Sequence, residues 1–261
     1  MPIATYTVGP PVRPPITHDN GFLDRFARRS PNSSDWVRLS RWIATLEAAE
    51  AAQGVPFVPH NDISDALGAY RHFLFGNGRS RTFSYERFVA NDRSGAKTLE
   101  NAIIEAEQGA QQIYWTQYPG QATARFSMTG TALSCGGGPN GSLFPYPATE
   151  NWQKAIGAHY IWLSAEVTVT NPSGLPNYTM VMTLHAEDRY NFNPGASDIA
   201  TGIPDSDNGM FEVTGLAQQY DHFSTLARTA SWTRAGTPSS VSEGPGRQRQ
   251  PDDNRRVRNR T

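Results

Sequence analysis

The hydrophobic period of this chain changes once, at Pro119, and that change limits the possible folds more than any other feature. Before it, apolar residues recur at helical spacing; after it, they alternate. Ser33, Ser34 and Asp35 form a helix start signal. Trp36, Leu39, Trp42, Ile43 and Leu46 then share one face, which ends near Gly54 and Pro56. After Asn61 and Asp62, Ile63, Ala66, Leu67, Tyr70 and Leu74 form a second stripe, stopped by Gly76 and Gly78. A third begins near Thr98 with Leu99, Ala102, Ile103, Ala106, Ala110 and Ile113. Beyond Pro119, residues 125–133 alternate, as do 159–169 and 178–186. Ile161, Leu163, Ala165, Val167 and Val169 fall on one side, and so do Met180, Met182, Leu184 and Ala186. The turn-rich segment 171–177 reads as the hairpin loop between them. Residues 210–213 and 226–232 are further strand candidates. The expected class is α+β, with a small helical domain over 34–118. A β-rich domain over 119–233 follows, its antiparallel sheet curled or closed toward a half-barrel to protect its edges.

The two ends show neither period. Six prolines (Pro2, Pro10, Pro11, Pro14, Pro15 and Pro31) lie within 1–33, which reads as an extended, disordered arm. Residues 234–261 read as a disordered basic tail, either simply solvated or attracted to anionic lipid. Over 261 residues the formal net charge is −1, which argues against a nucleic-acid-coating role. One cysteine, Cys135, excludes a disulfide framework and any multi-cysteine metal site. Apolar runs fall short of the roughly 20 residues that span a bilayer, and the first residues show no apolar signal segment.

The densest polar cluster follows the strongest strand pattern: His185, Glu187, Asp188, Arg189, Tyr190, Asn191 and Asn193, continuing through Asp198, Asp205 and Asp207. Carboxylates and amide oxygens gathered at one sheet edge suit a hard cation such as Mg²⁺ or Ca²⁺, with Asp188 the candidate ligand. Such a cation neutralises a phosphate during displacement at phosphorus. Asp188 within reach of a water is alternatively a general base, while Asp and Asn beside Pro-Gly are also what ordinary turns use. The stretch 205–209 begins like a calcium loop but lacks its closing Glu. The six histidines show no metal-ligand spacing; His72 reads as structural, and His185 is retained because it lies three residues from Asp188. No GxSxG, P-loop or dinucleotide fingerprint is present, and the glycine-rich 136–141 is not followed by a helix pattern.

Two features carry a resemblance. Ala4, Thr5, Tyr6, Thr7 and Val8, ahead of the Pro-rich segment, look like a TonB box, a short β-prone peptide that pairs with TonB as an added strand. Asp188, Tyr190, Asn191, Asn193 and Pro194 resemble the active-site stretch of colicin M-type bacteriocins, which runs Asp-x-Tyr-Asp, then Asn-Pro, then His-Arg. The order of arm, helical unit and β-rich toxin domain is similar as well. The resemblance implies a Mg²⁺-dependent phosphodiesterase that hydrolyses lipid II, the undecaprenyl-linked peptidoglycan precursor, in the periplasm of target bacteria. It implies release from the producer without a signal peptide and entry through an outer-membrane receptor and TonB. It also implies protection by an immunity protein and action as a monomer. The chain departs from the family where Asn191 replaces the second Asp and where Ser197 and Asp198 fall in place of His-Arg. The missing charge then falls to Asp198, Asp205 or Asp207 and the missing imidazole to His185, with Arg189 and Asn193 in support. Two other readings remain open: a toxin acting on another envelope lipid or on the membrane, and a non-enzymatic β-rich binding or structural module.

Overall fold

The computed structural model describes residues 1–56, 61–198, 202–233 and 240–244. A short strand β1 (Tyr6–Val8) leads through a single 3-10 turn at Gly21–Asp24 to helices α1 (Ser33–Gln53) and α2 (Ser64–Phe75). A two-residue strand β2 (Arg81–Thr82) precedes helices α3 (Tyr85–Asn91) and α4 (Arg93–Gln117). Strands β3 (Thr123–Gly130) and β4 (Leu133–Cys135) and helix α5 (Glu150–Ala155) follow. Then come β5 (His159–Thr170), β6 (Asn177–Tyr190), helix α6 (Ser206–Thr214), β7 (Tyr220–Trp232) and β8 (Ser240–Glu243). The eight strands form one sheet in the order β1-β3-β5-β6-β7-β2, with β4 also on β5 and β8 also on β7. Only β2 runs parallel to its neighbour. The sheet does not close on itself: its path ends at β1 and β2.

Alternation decides what the sheet buries. Leu163 stands opposite Leu184, and Leu184 opposite Leu226. These rows, with Met180, Met182, Ala165 and Val167, form one core against α4. All six apolar residues of the third stripe, Leu99 through Ile113, lie in that core. Helix α4 starts five residues before Thr98 because Asp92 caps it, accepting from the Ser94 backbone N–H at 2.8 Å. The same carboxylate accepts from the backbone of Ala148 and Thr149 at 3.0 and 2.7 Å and pins the segment ahead of α5. Burial acts against its charge, but the bonds from Ser94 and Thr149 outweigh that and hold it below the usual carboxylate range.

The helical segment is not one unit. Its α3–α4 half belongs to the sheet's core. Leu39 and Leu46 of α1 and Phe73 and Leu74 of α2 pack instead with Phe211, Ala217 and Tyr220 in a second cluster. Residues 210–213, read as a strand, lie within α6. Three apolar residues, Met210, Phe211 and Val213, are too few to fix a period, and Gly215 closes the helix in the left-handed conformation. Residues 240–243, read as part of an unstructured tail, pair with Arg228–Ser231 as β8. The basic stretch from Gly246 lies outside the described residues.

The first thirty residues are not a free arm. Tyr6, Thr7 and Val8 pair with Gly130, Thr129 and Met128, and the Ala4 N–H donates to Glu105 Oε1 at 2.6 Å. The Tyr6 ring fills the space left by two glycines, Gly109 of α4 and Gly130 of β3. The chain then crosses the sheet as a strap. Arg13 Nε donates to Glu187 Oε2 at 2.7 Å, and His18 Nε2 stands 3.1 Å from Glu187 Oε1. Burial alone raises a carboxyl, yet these bonds hold Glu187 below its ordinary value. The alternation of Ala4, Tyr6 and Val8 is too short to stand out, and its partner strand lies about 120 residues away. A Cβ on Gly109 would come 2.5 Å from the Tyr6 ring. Gly109→Ala should therefore weaken the β1–β3 pairing at a cost of about 1–3 kcal/mol. Faster chymotryptic cleavage after Tyr6 with the far-UV spectrum otherwise retained is the expected signature.

Candidate active site

Strand parity sorts the polar cluster. Asp188 and Tyr190 continue the inward row of Leu184 and Ala186, whereas His185, Glu187 and Arg189 point to the opposite face. His185 is therefore not a partner of Asp188, because three residues along a strand reverse the direction of the side chain. Its ring stacks on Trp162 with centroids 3.6 Å apart, and its Nε2 is 2.9 Å from Ser164 Oγ.

Asp188 stands at a cavity of about 960 Å³ between α1 and α2 on one side and the ends of β4, β5 and β6 on the other. The helices and the segment after β6 give an apolar wall of Trp42, Leu46, Ile63, Leu67, Tyr70 and Phe192. The opposite wall is polar, with Asp188, Tyr146, Lys154, His159, Asp198 and Asp205. The strap supplies part of the rim through Thr17, His18 and Asp19.

Desolvation dominates the electrostatics. Burial pushes the Asp188 carboxyl well above its ordinary range, and the charges of Asp19 and Asp221 add to it, against the Arg189 backbone N–H and guanidinium. Asp205 is raised by burial and by the charge of Asp198, although the Asn193 N–H donates to it at 3.2 Å. Asp198 pairs with Lys154 at 3.0 Å. Burial lowers the Lys154 ammonium, but Glu150 and Asp198 outweigh it and raise it. The Tyr146 phenol is raised by burial and then by the charges of Asp188, Asp198 and Asp205, so all three carboxylates act on this one hydroxyl. His159 is lowered to about 4 by burial and is neutral. Its Nδ1 donates to the Gly157 carbonyl at 3.0 Å, so its Nε2 accepts from Tyr85 OH at 3.1 Å. Cys135 is buried and its thiol pushed far up, which leaves it unreactive.

The remaining candidates divide. The Asn191 amide reaches the strap, donating to Asp19 O at 3.0 Å and to Asp19 Oδ1 at 2.9 Å. Asn193 lines the cavity and is held through its backbone by Asp205. Tyr190 lines it too, with its ring stacked on Tyr220 at 5.1 Å and packed near Phe73. Arg189 is a tie: it bonds Asp221 at 2.8 Å and Asn20 Oδ1 at 2.8 Å. Asp207 lies outside the cavity, where it accepts from the Trp42 indole at 3.3 Å and stands 3.7 Å from Arg38. Thr5, Tyr6, Thr7 and Val8 are in or beside β1, away from the cavity.

The chain matches no family model, no curated protein and no solved structure at a significant level. The chemistry of the cavity therefore has to be read from its own residues. Mg²⁺ is commonly held by one or two carboxylates together with substrate phosphate oxygens and water. Asp205 offers that donor type, whereas Asp198 is committed to Lys154 and burial works against the charged Asp188 that a ligand needs. Among the described residues no three His, Cys, Asp or Glu side chains form a metal-holding group. The donors thus suit an ion that enters with a phosphate better than a resident one. Sequence reasoning did not reach Tyr146, Lys154, His159 or Asp19. Lys154 is one of only two lysines in the chain, which was the one available signal.

Proposed function

We propose that the cavity is the active site of a hydrolase that cleaves an amphiphilic phosphodiester, with lipid II as the substrate, and that the protein is an antibacterial toxin. The observation that carries this reading is that one cavity joins an apolar wall from α1 and α2 to an acidic wall containing Asp188, Asn191, Asn193 and Asp205. A polyprenyl tail suits the first wall and a pyrophosphate headgroup the second. Asp188, kept protonated by burial, donates a proton to the departing polyprenol oxygen as the bond to phosphorus breaks. Asp205, raised to a lesser degree, accepts a proton from the attacking water. Lys154 is shared between Glu150 and Asp198, so Mg²⁺ bound with the substrate would supply the compensation for the negative charge that a phosphate brings.

Delivery completes the proposal. β1 is the last strand on its side of the sheet and contains Tyr6, Thr7 and Val8 of the TonB-box-like segment. An added TonB strand would extend the sheet at that edge. An outer-membrane receptor, periplasmic action and an immunity protein in the producer belong to the same reading, as does action as a monomer. The test is incubation of the full chain with lipid II and Mg²⁺, with chromatography for the released headgroup. Release that requires Mg²⁺ is the expected result. No release by folded protein that nevertheless binds the lipid overturns the hydrolase and leaves a binding module.

A further inference from the structure

We infer that the glycine loop after β4 is a phosphate-binding site, in which the backbone N–H groups of Gly137 and Gly138 hold the anionic oxygens of a diphosphate. This rests on, and deepens, the reading of the cavity as the site of an amphiphilic phosphodiester. Both glycines line the cavity, as do Ser134 and Cys135 ahead of them. Cys135 pairs with His159, so the loop leaves the sheet beside the start of β5. The loop is held in place. The Gly136 N–H donates to the Phe144 carbonyl at 2.8 Å, and the Ser134 hydroxyl donates to the Gly137 carbonyl at 3.0 Å. A trans peptide sets its N–H opposite its carbonyl, so the bond to Ser134 turns the Gly138 N–H away from that side chain. Gly136 has a φ of +84°, and a Cβ there would come 2.6 Å from the Tyr146 ring. That close approach seats the loop against Tyr146, which lines the same cavity. Among the described residues neither the Gly137 nor the Gly138 N–H donates a hydrogen bond.

Those two donors matter because of what surrounds them. A phosphate entering this cavity meets the carboxyl groups of Asp188, Asp198 and Asp205. The nearby side-chain donors are spent. Lys154 serves Glu150 at 2.5 Å and Asp198 at 3.0 Å. His159 Nδ1 donates to the Gly157 carbonyl, and Gln153 donates to the Pro147 carbonyl at 3.0 Å. The Asn191 amide is taken by Asp19. Two consecutive N–H groups without an acceptor remain on the loop. Glycine has no Cβ to keep a phosphate off the backbone, and successive backbone N–H groups form concavities that bind anions. A hydrogen bond to an ionised oxygen is also stronger than one between neutral groups.

The experiment is ¹⁵N-resolved NMR of the full chain, titrated with inorganic pyrophosphate in the presence of Mg²⁺, with Mg²⁺ alone as the blank. The Gly137 and Gly138 amide protons should move downfield and saturate, while that of Gly174, at the β5–β6 hairpin, stays in place. Gly137→Val puts a side chain between the two N–H groups. Its backbone is extended, with φ −162°, and nothing lies within 4 Å of a Cβ there, so the variant should fold. It should weaken pyrophosphate binding about tenfold, the equivalent of one charge-assisted hydrogen bond. A wild type whose Gly137 and Gly138 amides do not move overturns the assignment, as does equal affinity in a folded Gly137→Val. If the variant does not fold, the wild-type amide shifts decide alone. A short-chain prenyl pyrophosphate forms the second arm. Tighter binding than pyrophosphate gives the loop a lipid diphosphate, and equal affinity gives it a soluble one. Neither arm uses lipid II, so bound pyrophosphate without headgroup release counts against the hydrolase and not against the loop.

Discussion

Asp188→Asn should reduce headgroup release from lipid II by about 10³-fold while leaving the melting temperature almost unchanged. The asparagine has the size of the protonated carboxyl it replaces, and burial pushes that carboxyl well above its ordinary range, so the substitution removes little buried charge. What it loses is the transferable proton. The same raised carboxyl sets the pH profile. Activity that needs protonated Asp188 is present below its folded-state value and declines as pH rises through it. A variant with full activity would remove Asp188 from the chemistry and leave it as a turn residue of the β6 end.

The second large effect concerns stability. Glu212 of α6 is 1% exposed; one oxygen accepts from the Phe192 N–H at 3.1 Å and the other has no hydrogen-bond partner. Burial pushes its carboxyl up to about 8. The unfolded chain releases this proton near the ordinary value of 4.5, and the folded chain holds it to about 8. Stability from this group is therefore complete below about 4.5 and is lost progressively as pH rises toward 8 and beyond. Glu212→Gln removes that dependence. In urea unfolding at pH 9 the variant should exceed the wild type by about 4 kcal/mol, with the two close together at pH 4.5. Equal pH slopes for both proteins would show that Glu212 is ionised in the fold.

Much of the fold was readable because burial leaves a periodic trace. The stripe from Leu99 to Ile113 and the alternation of β5 and β6 were each visible within a dozen or so residues, and each is buried as the pattern requires. The parity of β6 was also readable, and it separates His185 from Asp188 without any structure. The short α6 was not, because three apolar residues within a run of four carry no period. The strap was missed for a different reason. Proline-rich sequence without alternation signals only that the chain is extended; whether it is extended into water or across a sheet depends on partners such as Glu187 and Gly109, which are distant in sequence. The motif residues Asp188, Asn191 and Asn193 do meet in one cavity. The residues that complete it, Tyr146, Lys154 and Asp19, come from the segment before α5, from α5 and from the strap, whose convergence no local pattern records.

The strap also sets an order of assembly during synthesis. Phe22 leaves the ribosome early, but its backbone partner Phe192 is translated about 170 residues later, roughly 10–30 s at ordinary rates of synthesis. Until then residues 19–22 have nothing to dock against, and the cavity lacks that part of its rim. A nascent chain, or one truncated before β6, is thus made without a finished site. The cavity is complete only when the later-made half of the chain captures the strap.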